Sequence, residues 1–470
     1  MKTASAEPTL GIVHFGAASL GDERRTNRLV MTADLLAARP SGPLPQRLTH
    51  PADLEGLYTL VRAEAVTHAA VLEPHRQQTL AAARDHDGVV LWISDTTELD
   101  YTGRKSLKKL GPIGNGGGRG YLCHNTLGVR AADRQIIGLG SQILHKRARA
   151  PQREKLAAKR QRKDRESRLW LRGCEAVGPA PAGKLWVDVC DRGADTFEFI
   201  EFEHARGRHY VIRVSRDRKL AADAEDAGEA EAIEQTLKGH ARHLPDLGQR
   251  EVTVSANTNQ PARTAAVRIA AGAVTIRPPR QKRGEHGEAP IATWVVHVRE
   301  VNPPEGAEPL EWILLSNVPA ESFAQACERV DWYACRPIVE EFHKGKKSGA
   351  CIEDLQFTDE ERLEPVIALL SVVTALLLKL REAARDESAA TTPAVRVVSP
   401  LHVKVLSLWR HGEVRMNMTV REFYYAVARL GGHQNRKSDG FPGWLTLWRG
   451  WQALQPMIEL AAALERCGET

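Results

Sequence analysis

Residues 88–95 read GVVLWISD, a nearly continuous apolar run that stops on an acid. A strand that is apolar on both faces is buried on both faces, and such strands belong to sheets covered by helices. The pattern returns at residues 184–191, KLWVDVCD. Both runs therefore end in an aspartate, Asp95 and Asp191, at the carboxyl ends of strands, where an open α/β sheet presents its functional groups. Two such acids on neighbouring strands can converge on a hard divalent cation. Asp is also an ordinary turn former after a strand, so at this point both readings stand.

Outward from the first run, GYLCHNTLGV (120–129) and QIIGLGSQIL (135–144) read as two further strands joined by a polar turn at Ala131–Arg134. With the first they predict a three-stranded meander. The stretch GPIGNGGGRG (111–120) lacks the GK[ST] ending of a phosphate-binding loop and precedes a strand where a helix is required, so residues 114–120 read as a hairpin tip. Residues 146–172 carry twelve Lys and Arg against Glu154, Asp164 and Glu166. After KLWVDVCD comes another strand, HYVIRVS (209–215), and then alternating runs between 251 and 301 such as AAVRIA and TWVVHVRE. These predict an antiparallel β module, about 245–315, inserted into the α/β core.

The flanks change period. SLGDERRTNRLVMTADLLAA (19–38) and a stretch near Asp53–Arg62 read as helices broken by Gly42, Pro43 and Pro45. Beyond a polar linker at 385–400, VREFYYAVARLGG and the Trp-rich 443–466 read as closing helices. The expected domains are 1–75, helical; 76–385, α/β; and 386–470, helical.

With 470 residues, of which 42% are hydrophobic, the chain is long enough for two to four domains and is not a disordered protein. Its net charge of +6 is basic but too mild to establish a polyanionic partner. Seven cysteines without a CxxC pair read as reduced thiols of a cytosolic protein. MKTASAEPTL lacks the features of a secretory signal, and the longest apolar run, Val366–Leu378, is too short to span a bilayer, so no membrane is expected.

The sharpest feature is DWYACRPIVEEFHKGKK (331–347). Tyr333, Arg336, Glu340 and Lys347 are spaced by three, four and seven, which at about 100° per residue puts them within an arc of roughly 60° on one helix face. Pro337 qualifies this, since proline suits a first helical turn, so the helix is expected to start near Arg336 and leave Tyr333 before it. A solvated charged stripe is the usual fate of Glu and Lys at this spacing. It does not explain a Tyr and an Arg on the same line.

ISDTTELDY (93–101), DVCDRGAD (188–195) and YACRPIVEEFHKGKKSGA (333–350) resemble the three catalytic motifs of DDE transposases of the Tn-five (insertion sequence four) type. The resemblance extends from LGDERRTNRL near the start, through VNPPEGAEPLEWILLSNVPAESFAQA, to ARLGG and LWRGWQALQ near the end. It implies an RNase H-like core with a metal-binding catalytic triad of Asp95, Asp191 and Glu340 holding two Mg²⁺ or Mn²⁺ ions. It implies that Tyr333, Arg336 and Lys347 bind phosphates of the transposon end, that Trp312 stacks on a flipped base, and that Arg213 lies near the DNA hairpin. Arg24, Arg25 and Arg28 would belong to the head that reads the end sequence. Implied partners are the terminal inverted repeats, target DNA and a second copy of the chain, meeting through the C-terminal helices in a bacterial cytoplasm. By bare chemistry Glu341, Asp188 and Asp195 rival the triad, and spacing selects Glu340 and Asp191. A structure-selective nuclease on the same fold and a catalytically idle DNA-binding regulator are the other functions considered.

Overall fold

The computed structural model describes residues 9–148, 162, 164–221, 236–254, 263–279, 286–436 and 439–468. Much of the basic stretch, 149–161 and Lys163, lies outside the described residues. Within it, Lys146 pairs with Glu364 at 2.9 Å and Arg147 with Glu166 at 2.8 Å.

The head consists of α1 (Leu10–Phe15), α2 (Glu23–Ala38), α3 (Leu44–Arg47), α4 (Pro51–Leu60) and α5 (His68–Asp85). Asp22 caps α2 by accepting from the Arg24 amide, and Thr67 caps α5 by accepting from the Ala70 amide. The buried Leu20, Leu29 and Leu57 of this head belong to the same apolar cluster as the main core.

The apolar run at 88–95 becomes β1 (Val90–Asp100). Short β2 (Gly111–Ile113) leads into β3 (Gly118–Arg130), with Gly114 and Gly116 both at positive φ in the tip between them, a backbone that glycine adopts without a Cβ clash. β4 (Ile136–His145) returns antiparallel to β3, so the expected meander is present. After α6 (Leu169–Val177), β5 (Trp186–Cys190) lies parallel to β1. Then α7 (Phe197–Ala205) crosses over to β6 (His209–Arg213), parallel to β5.

Past α8 (Leu237–His243) come β7 (Asp246–Val254), β8 (Arg263–Ile276), β9 (Ile291–Glu300) and β10 (Glu311–Ser316), all antiparallel to their neighbours. These strands fall where the antiparallel segment of about 245–315 was expected, and the structure adds where they attach. Leu314, Leu315 and Ser316 of β10 pair with Arg213, Ile212 and Val211 of β6, so one sheet runs β2-β3-β1-β5-β6-β10-β9-β8-β7, with β4 also on β3. The segment interrupts the chain and extends the sheet. β10 offers β6 an apolar edge, Ile313-Leu314-Leu315, which satisfies the last parallel strand's backbone groups.

One face of this mixed sheet carries α6, α7 and α8, whose Leu169, Phe199, Ile200 and Leu237 form a second core with Cys190, Tyr210 and Ile212. The other faces the head together with α9 (Phe323–Tyr333), α10 (Pro337–Lys344) and α11 (Glu360–Arg385). α11 is long and apolar enough to cross a membrane by length and composition, but 83% of its most apolar window is buried inside the protein. Leu363, Val366, Ile367, Leu369, Leu370, Val372 and Leu378 are each fully buried. At roughly 1.5–3 kcal/mol per buried aliphatic side chain they outweigh the cost of about 3 kcal/mol for Pro365 in the helix. The chain closes with α12 (Pro400–His411), α13 (Val420–Leu430) and α14 (Trp444–Gly468), which build a third cluster around Phe423, Tyr424 and Leu454. Cys123, Cys174, Cys190, Cys327, Cys335 and Cys351 form no disulfide.

Candidate functional site at the ends of the parallel strands

The register of β1 against β5 ends on the pair Ser94 and Cys190. The next residue after each is the aspartate: Asp191 lies one residue past β5, whereas β1 runs on to Asp100, so Asp95 sits within β1 where its pairing with β5 stops and not at the strand end that the sequence suggested. Both are anchored locally: Asp95 Oδ1 accepts from the Thr96 amide at 2.9 Å, and Asp191 Oδ1 accepts from the Gly193 amide at 2.9 Å. β5 against β6 ends on Cys190 and Ile212, which puts Arg213 at the same edge. Its Nη2 donates to the Glu311 carbonyl at 3.2 Å.

Pro337 is the first residue of α10 and Arg336 its N-cap, as the sequence predicted, and Tyr333 ends the preceding helix α9. The single helical face does not survive. Tyr333 belongs to another helix, and Lys347 sits in a wider π turn, Gly345–Gly349, where the angular step per residue differs. What unites the four is the strand edge beneath them. Arg336 Nη2 donates to Asp95 Oδ2 at 3.0 Å while Nη1 donates to Glu340 Oε1, so one guanidinium bridges two of the three acids. Tyr333 is buried with its ring edge-on to Trp312, centroids 5.3 Å apart at 70°. Lys347 Nζ lies 3.4 Å from Glu353, a residue of the Ile352–Asp354 turn that accepts from the Asp100 amide at the far end of β1, and not against the three acids.

Asp95 is held well above the ordinary carboxylate range, at about 6, first by burial and then by the negative charges of Asp191 and Glu340, against the opposing pull of Arg336. Three carboxylates facing one arginine leave uncompensated negative charge, and Glu340 keeps 46% of its side chain exposed. Hard oxygen donors with residual charge and an open side fit Mg²⁺ or Mn²⁺.

The rivals named from sequence are each committed elsewhere. Asp188, 1% exposed, takes a two-pronged clamp from Arg208, Nε at 2.9 Å and Nη2 at 3.0 Å, beside buried Glu203 and Cys174. Asp195 accepts from the amides of Ser215 and Arg216 at 2.7 and 2.8 Å and pairs with Arg218. Glu341 pairs with Lys344 at 3.1 Å and Arg381 at 3.4 Å.

Sequence reasoning missed a buried polar chain behind Asp95. His343 Nδ1 is 3.9 Å from Asp95 Oδ2, and its Nε2 is 3.0 Å from Asn125 Nδ2. Asn125 Oδ1 accepts from Gln142 at 2.8 Å and from the fully buried Lys346 at 3.0 Å. Burial, with Lys346 nearby, keeps His343 far below its usual pKa and therefore neutral. One signal was available: strand pairing sets Asn125 directly opposite Asp95.

In the head, Arg25 Nη1 donates to the Leu20 carbonyl at 2.9 Å, and Arg28 pairs with Asp53 at 3.2 Å across Gly56 of α4. A Cβ at Gly56 would come within 2.8 Å of the Arg28 guanidinium, so a larger residue there would push that side chain aside. Arg25 and Arg28 thus tie the head together, and Arg24 is exposed at the start of α2. Residues 13–66, which contain all three arginines, match the family described as transposase DNA-binding. The match supports a transposase that binds DNA through this head.

Proposed function

We propose that this chain is a cut-and-paste transposase of the DDE, Tn-five (insertion sequence four) type, with Asp95, Asp191 and Glu340 as its metal-binding catalytic triad. The observation that carries the reading is that Asp95 and Asp191 follow the last paired residues of parallel β1 and β5 while one guanidinium, Arg336, bridges Asp95 to Glu340, 13–66 being matched to a transposase DNA-binding family. Three antiparallel strands, β4-β3-β1, continued by parallel β5 and β6 support an RNase H-like description of the core.

Two Mg²⁺ or Mn²⁺ ions held by the triad would supply activation of a water or 3′-hydroxyl and stabilisation of the departing 3′-oxygen. The chain's own residues orient the DNA. Arg336, Tyr333 and Arg213 flank the acids, Lys347 lies beyond them beside Glu353, and the four would take backbone phosphates; a guanidinium is suited to the bidentate geometry of phosphate. Trp312, half-buried against Tyr333, presents an indole on which an extruded base can stack. His343, neutral and held by Asn125, fills the space behind Asp95 and keeps water from that side. One site would thus serve first-strand hydrolysis, hairpin formation, hairpin opening and joining to target DNA. A homodimer would bring two ends together, with Arg24 directed at the terminal repeat.

The test is incubation with Mg²⁺ or Mn²⁺ and a DNA carrying the terminal repeats that flank the gene, comparing wild type with Asp191→Ala. A hairpin product at the repeat boundary, absent in the variant, is the expected result. Specific binding without cleavage would overturn the enzyme in favour of a DNA-binding regulator. Cleavage set by DNA structure and indifferent to the repeat would favour a nuclease.

A further inference from the structure

We propose that Trp170 and His124 are positioning residues that fix the spacing of Asp95 and Asp191; the inference rests on reading those two aspartates as metal ligands. Trp170, on α6, is 7% exposed and lies directly under the turn that follows β5. A Cβ built on Gly193 would stand 2.4 Å from its Cη2 and 2.5 Å from its Cζ2. No real Cβ contact is that close, so the backbone of the turn rests on the six-membered ring of the indole. That same Gly193 supplies the amide that holds Asp191 Oδ1 at 2.9 Å. The height of the indole therefore sets where Asp191 points.

The other edge of Trp170 meets the His124 ring, centroids 5.3 Å apart at 69°. His124 is fully buried on β3, and its Nδ1 is 2.8 Å from the Thr96 hydroxyl. Thr96 pairs in register with His124, and its amide holds Asp95 Oδ1 at 2.9 Å. Two short chains thus leave one aromatic pair: Trp170 to Gly193 to Asp191, and His124 to Thr96 to Asp95. Gly173, one turn along α6, allows the pair to close up, because a Cβ there would reach 3.0 Å from His124 Nε2. A pair that only filled the core would not need to touch the backbone unit that grips each acid.

The discriminating variant is Gly193→Ala, which keeps every ligand and forces the turn off Trp170; its methyl also stands 3.0 Å from Asp191 Oδ1, a contact the double variant below retains, so recovery in the double variant isolates the part played by Trp170. Mn²⁺ alone, titrated calorimetrically into the DNA-free protein, should bind roughly 10-fold more weakly, within the range for disturbing groups that orient a metal ligand. Cleavage of terminal-repeat DNA at saturating Mn²⁺ should fall about 100-fold, the scale of an ångström misplacement. Binding of that DNA without metal should be unchanged, since the head is untouched. The double variant Gly193→Ala/Trp170→Phe, whose smaller ring lacks Cζ2 and Cη2, should recover most of the Mn²⁺ affinity. Should Gly193→Ala fail to fold, Trp170→Phe alone carries the test, with an expected several-fold loss of Mn²⁺ affinity. Wild-type Mn²⁺ affinity in a folded Gly193→Ala protein, or a double variant no better than the single, overturns the proposal. Wild-type Mn²⁺ binding and cleavage by Asp191→Ala, run in parallel, would instead overturn the reading of the site on which it rests.

Discussion

Strand β5 carries two aspartates three residues apart whose surroundings are opposite. Asp188 lies inside the strand, closed off from solvent, with the Arg208 fork matching both its oxygens. Asp191 lies one residue past the strand's end, held by a single amide and sharing one arginine's field with two other acids. Their protein neighbours have nearly balanced the first charge and left the second short of positive charge. An acid that the fold has neutralised is a structural part; an acid that the fold orients and leaves unbalanced is free to do chemistry. The same rule separates Glu340 from Glu341, which is spent on Lys344 and Arg381.

The largest effect that would break this contrast is on catalysis. Asp191→Ala should lower metal-dependent cleavage of terminal-repeat DNA by on the order of 10⁴-fold, with a melting temperature at or above that of wild type. A variant that cuts normally, or that unfolds, removes the distinction at its catalytic end.

The next largest is on stability. Asp188→Ala takes both short bonds from the buried Arg208 guanidinium and leaves it Glu203 at 3.7 Å; breaking a buried pair from one side costs about 3–5 kcal/mol, and Glu203 holds the loss to the lower end of that range. Urea titration should show the midpoint falling by that equivalent, with the slope unchanged. Were Asp188→Ala as stable as wild type, the clamp would be no structural device and the contrast would lose its other half.

A smaller effect sharpens the contrast from the side of the shared arginine. Arg336 occupies the cationic position between Asp95 and Glu340, so in DNA-free protein Arg336→Gln should bind Mn²⁺ about 10-fold more tightly, roughly 1.4 kcal/mol. The same variant should bind terminal-repeat DNA more weakly, because it loses a phosphate contact. Equal Mn²⁺ affinity with and without the guanidinium would mean that it does not stand in for a cation.

How much of this was legible in the sequence follows from what each feature depends on. GVVLWISD and KLWVDVCD revealed two buried strands, since burial on both faces writes itself into consecutive residues, but β1 runs on past Asp95 to Asp100, where most residues are half-buried and the apolar signal is lost. Pro337 marked the start of α10 because its ring fixes a local dihedral. The joining of β10 to β6 was not legible: alternation identifies strands but does not say which edge they meet. The single face of Tyr333, Arg336, Glu340 and Lys347 failed because a helix break and a π turn change the angular step. Arg28 is implied as part of the end-reading head by resemblance alone, and its pairing with Asp53 depends on how α2 crosses α4. The layer of His343, Asn125 and Lys346 brings together residues more than two hundred positions apart in sequence, and only the packed fold shows it.

The smallest effect tests whether Asp95 is unbalanced in the protein itself. Its carboxyl is raised from 3.8 to about 6, chiefly by burial. The folded protein therefore holds this proton more tightly than the unfolded chain, and the stabilisation is complete below about pH 4 and lost as pH rises through 6. Above that, metal-free protein carries an ionised Asp95 at a cost. Asp95→Asn removes the charge while giving up the pairing with Arg336, so the net gain should be modest, about 1–2 kcal/mol at pH 8. At pH 4, where Asp95 is already protonated in the folded state, the gain should vanish. Chemical denaturation of both proteins in chelator at the two pH values measures this directly. If Asn stabilises equally at both, the gain is packing; if it destabilises at pH 8, Arg336 compensates Asp95 fully, and Asp95 on β1 is balanced much as Asp188 on β5 is.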